Sequence, residues 1–154
     1  MLDKNIIEEI DTECKKIEQL FDEYELLLTE IVEREPDFIE LGSLAMMLHS
    51  FYNGLEKIFS RIARKIDTKL PDGMEWHKEL LEVMAIQTEK REYIVLSETT
   101  CDELKEYLGF RHFIRHSYAF DLNWDLMKDL VFRADSVKNT VLEEIKEFVG
   151  KIAE

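Results

Sequence analysis

The chain predicts an all-α fold, an up-and-down bundle of four to five helices in one domain spanning residues 1–154, and three observations predict it. Only five glycines and two prolines interrupt 154 residues, less punctuation than strand-and-turn architectures use. Apolar residues recur at alternating spacings of three and four over long stretches, which places them on one face of a helix. Short polar connections with recognisable caps join those stretches, and long amphipathic helices with short links are antiparallel neighbours. A chain of this length buries about two thirds of its unfolded surface, enough for a sizeable core.

The first helix is expected from about Asp3 to Glu33. Ile7, Ile10, Cys14, Ile17, Phe21, Tyr24, Leu28 and Ile31 form its seam, and Leu20 and Leu27 widen it as a bundle helix requires. Glu35-Pro36-Asp37 stops it, because the residue before proline avoids the helical region. Asp37 with Glu40 reads as a capping box for a second helix over 38–66, with Leu41, Leu44, Leu48, Phe51, Leu55, Ile58 and Ile62 inward. His49, Tyr52, Asn53 and Glu56 lie close to that seam, and Asn53 and Glu56, three apart, share a face.

Pro71-Asp72-Gly73 marks a turn before a shorter third helix over about 74–88, with Trp76, Leu80, Val83 and Met84 inward. Residues 93–96, Tyr-Ile-Val-Leu, read as a brief extended piece or a packed connector. A capping box at Thr100 and Glu103 opens a fourth helix running to about Ser117. A loop over 119–123 follows, and Asn123 caps a fifth helix to about Lys151 whose inward face carries Leu130, Ala134, Val137, Val141, Ile145 and Phe148.

Composition excludes several classes of function. No apolar run approaches a membrane span and the N-terminus lacks the basic-then-apolar order of a signal peptide, so a cytoplasmic protein without membrane attachment is expected. Cys14 and Cys101 are too few and too far apart for a disulfide framework or a zinc site. Neither has a histidine nearby in sequence to make it a nucleophile. A phosphate-cradling glycine loop is missing. The net charge of −14 opposes nucleic-acid binding if taken whole. Its distribution matters, however, because residues 1–40 hold fourteen acids against four bases, leaving the rest near balance.

Phe110 to Tyr118 is the one stretch where two arginines, two histidines and a tyrosine fall within nine residues. Leu104, Tyr107, Leu108, Phe110 and Ile114 make an apolar arc, and Arg111 points into its middle. A guanidinium aimed at a core is costly unless a carboxylate, a phosphate or a cleft receives it, or its stem lies buried while the head snorkels to the rim. Glu56 is a candidate counter-charge; the other reading makes it part of a solvated edge. His112 and His116, four apart, suit a shared metal, but a third ligand would have to come from Asp121 or His49, and no helix carries a Glu-x-x-His pair. No metal and no cofactor is therefore expected.

Acid–base chemistry on a phosphodiester needs no metal. A base takes the proton of the 2′-hydroxyl of RNA and a fixed cation stabilises the charge that builds on phosphorus oxygens. Histidine and arginine are the residue types for those tasks. Five apart on a regular helix, Arg111 and His116 sit about 140° from each other. They converge only if the helix ends or bends near His116, or if a second subunit folds the site over.

Arg111, four residues, His116, one residue and Tyr118 match the Arg-x4-His-x-Tyr motif of HepT-like toxins in the HEPN superfamily, and the all-helical frame of this length is similar to that family over most of the chain. The resemblance implies an HEPN-like domain and a metal-independent endoribonuclease that acts on RNA as a homodimer. It further implies neutralisation by a small MNT-type nucleotidyltransferase antitoxin that transfers AMP from ATP to the motif tyrosine. Carried over, Arg111 is the phosphate-side cation, His116 the proton-transfer residue and Tyr118 the AMP acceptor. His112, where the family often has a small polar residue, and Arg115 either add phosphate contacts or pack and solvate. An alternative is a catalytically inactive HEPN-type bundle that serves as a protein-binding partner of a nucleotidyltransferase, and another is a plain helical oligomerisation module.

Overall fold

A computed structural model describes residues 4–154, and among these the chain forms five α-helices and no strand: α1 (Lys4–Glu30), α2 (Phe38–Lys65), α3 (Trp76–Val83), α4 (Glu98–Arg115) and α5 (Trp124–Ile152). The expected start of the first helix at Asp3 lies outside the described residues. A single turn of 3-10 helix, Ala119–Asp121, interrupts the loop between α4 and α5. Helix α2 is the central element and packs against all four others. Its inward face, from Leu44 through Phe51 and Leu55 to Ile62, is buried along its length and joins residues of every other helix in one apolar cluster.

The α1–α2 corner follows the expected grammar. Asp37 accepts from the Glu40 backbone N–H at 2.8 Å while the Glu40 carboxylate accepts from the Asp37 N–H at 3.0 Å. Arg34 grips the same Glu40 and holds its carboxyl at about 2, below the usual carboxylate range. Further along, α1 and α2 approach closely at Gly54, where an added Cβ would meet Ile17 Cγ1 at 2.9 Å. The seam of α1 starts one residue earlier than expected: Ile6 is buried and Ile7 only half-buried.

Two boundaries differ from the expected ones because distant side chains set them. Helix α3 ends at Val83 rather than near Thr88, because the chain folds back over its last turn. The Arg91 side chain takes the carbonyls of Val83 and Ile86, and the N–H groups of Val95 and Leu96 both donate to Met84. Residues 93–96 are thus a packed connector with Val95 and Leu96 buried, and an isolated bridge between Thr88 and Arg91 precedes it. Helix α4 begins at Glu98, with Ser97 as its cap in place of Thr100. The Glu144 carboxylate on α5 explains the shift: it accepts from the Ser97 N–H at 2.7 Å, the Ser97 hydroxyl at 3.2 Å and the Thr100 hydroxyl at 2.6 Å. No helix among the described residues is long and apolar enough to cross a membrane.

Candidate functional site

Three helices bring polar side chains to one place beside the core. Helix α2 supplies Asn53 and Glu56, the first turn of α3 supplies His77, and the C-terminal part of α4 supplies Arg111. Arg111 Nε donates to Asn53 Oδ1 at 2.7 Å, its second guanidinium nitrogen reaches Glu56 at 3.6 Å, and the third lies 3.2 Å from His77 Nδ1. Glu56 also holds His77 Nδ1 at 2.8 Å. Glu56 therefore is the counter-charge to Arg111, and it serves His77 as well. The misfit of an arginine inside an apolar arc is resolved by this cluster: Leu104 and Tyr107 are buried beside it, and the arginine side chain itself is 12% exposed.

The cluster extends one link further. Since Asn53 Oδ1 accepts from Arg111, its amide nitrogen donates to His49 Nε2, 2.9 Å away. That fixes the His49 proton on Nδ1, an atom buried without a hydrogen-bond partner among the described residues. Burial first, and then the charges of Arg111 and Arg115, hold His49 below its ordinary pKa of 6.5. Fully buried Tyr52 lies beneath, its phenol pushed up by burial and then by the charge of Glu56.

Arg111 and His77 open onto a groove of about 530 Å³ that His112, Arg115, Lys78 and Lys105 also line, with Glu75 its one acid. Four cations around such a space make a local basic surface on an acidic protein, the electrostatic setting for a phosphate-bearing ligand. A second groove, of about 400 Å³, is lined by Asn53 and Glu56 together with Lys57, Arg61 and Arg64. Arg61 is ion-paired with Glu9 and Glu13 of α1, so the acidic helix balances part of the charge of that second groove.

The remaining motif residues sit at the end of α4. The helix stops at Arg115, and His116 adopts φ −117° and ψ 10°, outside the helical run. Its ring packs edge-on against His112, with centroids 4.9 Å apart. Ser117 returns its hydroxyl to the Phe113 carbonyl at 2.7 Å. Tyr118 opens the 3-10 turn: its backbone N–H donates to Asp121 at 2.8 Å, and its ring stacks on Phe120 and is 72% exposed. Arg111, His112 and Arg115 share the groove, whereas His116 and Tyr118 lie beyond its lining residues. Among the described residues no three His, Cys, Asp or Glu side chains are grouped to hold a metal ion. Both thiols are buried, and burial pushes Cys14 up to about 11 and raises Cys101.

Sequence reasoning missed His77 and gave Asn53 no role. His77 stands 34 residues from Arg111 on another helix, and no spacing rule links them. The only local signal is a histidine on a short amphipathic helix that follows a turn.

Fold and site together define an all-α bundle with an arginine–carboxylate–histidine cluster at the mouth of a basic groove. A protein-family profile described as "HepT-like protein" matches residues 43–152, most of α2 through the end of α5, and so includes the whole cluster and the Arg-x4-His-x-Tyr motif. The chain belongs to the HepT-like family, a group within the HEPN superfamily. No curated protein and no solved structure matches it in the corresponding comparisons.

Proposed function

We propose that this HepT-like chain is the toxin of a toxin–antitoxin pair: a metal-independent endoribonuclease that cleaves single-stranded RNA as a homodimer. The observation that carries this reading is the groove where Arg111 presents its guanidinium beside His77, His112 and Arg115. A planar, permanently charged fork suits the non-bridging oxygens of a phosphodiester. Arg111 is the phosphate-side cation and His116 the proton-transfer residue, with His112 and Arg115 as supporting phosphate contacts. The end of α4 at Arg115 frees His116 from the helical direction of Arg111, which supports their use in one site. Exposed Phe113, Phe120 and Leu126 fall on this helix end, the 3-10 turn and the start of α5, and they support association of two copies there.

Neutralisation follows by transfer of AMP from ATP to the Tyr118 hydroxyl by an MNT-type nucleotidyltransferase, with pyrophosphate as the leaving group. The exposure of Tyr118 on a turn supports its use as acceptor. An adenylate two residues from His116 adds a bulky anion where RNA phosphate would bind and repels it.

Incubation of the protein with single-stranded RNA and chelator tests the activity. Wild type cleaves, while Arg111→Ala and His116→Ala, folded by circular dichroism, do not. Either variant cutting like wild type removes the assignment of that residue. Incubation with the nucleotidyltransferase, ATP and magnesium adds the mass of AMP to wild type and not to Tyr118→Phe. The second reading, an inactive bundle that binds the nucleotidyltransferase, is favoured by the position of His116, which packs on His112 but is not among the residues that line the groove, and it is what remains if wild type leaves RNA intact.

A further inference from the structure

His77 makes a demand that the motif does not explain. Its Nδ1 faces two partners, Glu56 Oε2 at 2.8 Å and an Arg111 guanidinium nitrogen at 3.2 Å. A guanidinium has no lone pair to offer and an ionised carboxylate has no proton, so one Nδ1 cannot bond well to both. The shorter contact is the one to the carboxylate. Nδ1 therefore carries the proton and donates it to Glu56, which leaves the lone pair on Nε2. The ring packs against Trp76, with centroids 3.5 Å apart and planes tilted by 31°, and is oriented by a carboxylate only 10% exposed. A histidine oriented through Nδ1 by a buried carboxylate, with Nε2 unprotonated, is the arrangement of a general base. It lines the same groove as Arg111.

We infer that His77 is the general base of the RNA-cleavage reaction and that Glu56 is its positioning residue, an inference that rests on the ribonuclease reading given above. Nε2 of His77 takes the proton of the 2′-hydroxyl, and the 2′-oxygen forms its bond to phosphorus. Arg111 balances the charge gathering on the non-bridging oxygens. The bond from phosphorus to the 5′-oxygen breaks, and the leaving oxygen takes a proton from His116, which acts as the acid. The products are a 2′,3′-cyclic phosphate and a 5′-hydroxyl, and no oxidant, metal or further reactant enters the balance. Glu56 stabilises the imidazolium formed on His77, and its second oxygen keeps Arg111 near the phosphate.

The test uses the full chain and two forms of one oligonucleotide containing a single ribonucleotide. One has the natural 3′,5′ linkage and the other a bridging 5′-sulfur, whose leaving thiolate needs no acid. His77→Ala and His77→Asn, the latter keeping an amide donor for Glu56, each lose at least about 100-fold in rate on both substrates. Added imidazole partly restores His77→Ala, which a merely structural defect would not permit. The limb of the pH–rate profile that rises as the base deprotonates disappears in both variants. His116→Ala, by contrast, recovers on the sulfur-bridged substrate. Glu56→Gln slows cleavage and shifts that limb. Cleavage by His77→Asn within threefold of wild type overturns the assignment, as does recovery of His77→Ala on the sulfur-bridged substrate. If Arg111→Ala and His116→Ala are inactive while the His77 variants are active, only this inference falls. If wild type cuts neither substrate, it falls together with the ribonuclease reading.

Discussion

Two arginines meet carboxylates inside this bundle, and they are put to opposite uses. Arg91 is 1% exposed and Asp67 5%, and all the donor nitrogens of Arg91 are spent on protein. Nε and one terminal nitrogen bond the two oxygens of Asp67, and the remaining hydrogens go to the carbonyls of Val83, Ile86 and Tyr93. Arg111 is also mostly covered, but its contact with Glu56 is long, at 3.6 Å, and its contact with His77 competes for a nitrogen that Glu56 already holds. It borders a groove where Arg91 borders a carbonyl cage. Burial of an arginine therefore does not mark a functional site; unspent donors facing an opening do. Arg91 terminates a helix and fixes a connector, whereas Arg111 lines a groove with its contact to Glu56 left long.

The largest expected effect separates the two on stability. Arg91→Ala leaves Asp67 a buried charge without its partner and frees three carbonyls, and it destabilises the chain by about 3–5 kcal/mol in urea unfolding. Loss of less than about 1 kcal/mol would mean that the connector holds without it. Arg111→Ala costs far less, about 1–2 kcal/mol, because Glu56 keeps its 2.8 Å hydrogen bond with His77. The proposed RNA cleavage is expected to respond in the opposite order: lost in Arg111→Ala and retained by any Arg91 variant that still folds.

Double-mutant cycles sharpen the contrast at a smaller scale. The Arg91–Asp67 pair shares two short bonds, so its coupling is expected at about 2–3 kcal/mol. For Arg111 and Glu56 a coupling of under about 1 kcal/mol is expected, as their charges meet without a hydrogen bond of normal length. Equal couplings would tie Arg111 to the fold no less firmly than Arg91 and would weaken its assignment to phosphate.

Much of this architecture is legible in the sequence, and the illegible part has a common cause. The helix count, the capping box of Asp37 and Glu40, the Asn123 cap and the inward faces of α2 and α5 follow from local spacing, which one helix settles by itself. The start of α4 and the end of α3 do not, because Glu144 and Arg91 decide them from 47 and 8 residues away. The site divides the same way. Arg111 announces itself as a charge within an apolar arc, and Glu56 is legible as a same-face neighbour of Asn53 near the seam. His77 stays hidden because its meaning depends on which helices pack side by side.

The smallest effect is a pH dependence that belongs to the Arg111 site. His49 is held below its ordinary 6.5, chiefly by burial and then by Arg111 and Arg115, while in the unfolded chain it titrates normally. Below pH 6.5 the unfolded chain then binds the proton more readily than the fold, so the stability this group contributes is complete above that value. It is lost as pH falls through the depressed folded-state value. The depressed carboxyls of Glu40, at about 2, and Asp129 act in a more acidic range and do not enter this window. Wild type should therefore lose more stability than His49→Gln between pH 7.5 and 5.5, measured by urea unfolding at each pH. In an Arg111→Ala background the difference should shrink, because one of the two charges opposing protonation has gone. Identical slopes for wild type and His49→Gln would show that His49 takes up its proton freely in the fold, and the chain from Arg111 through Asn53 to a neutral His49 would have to be redrawn.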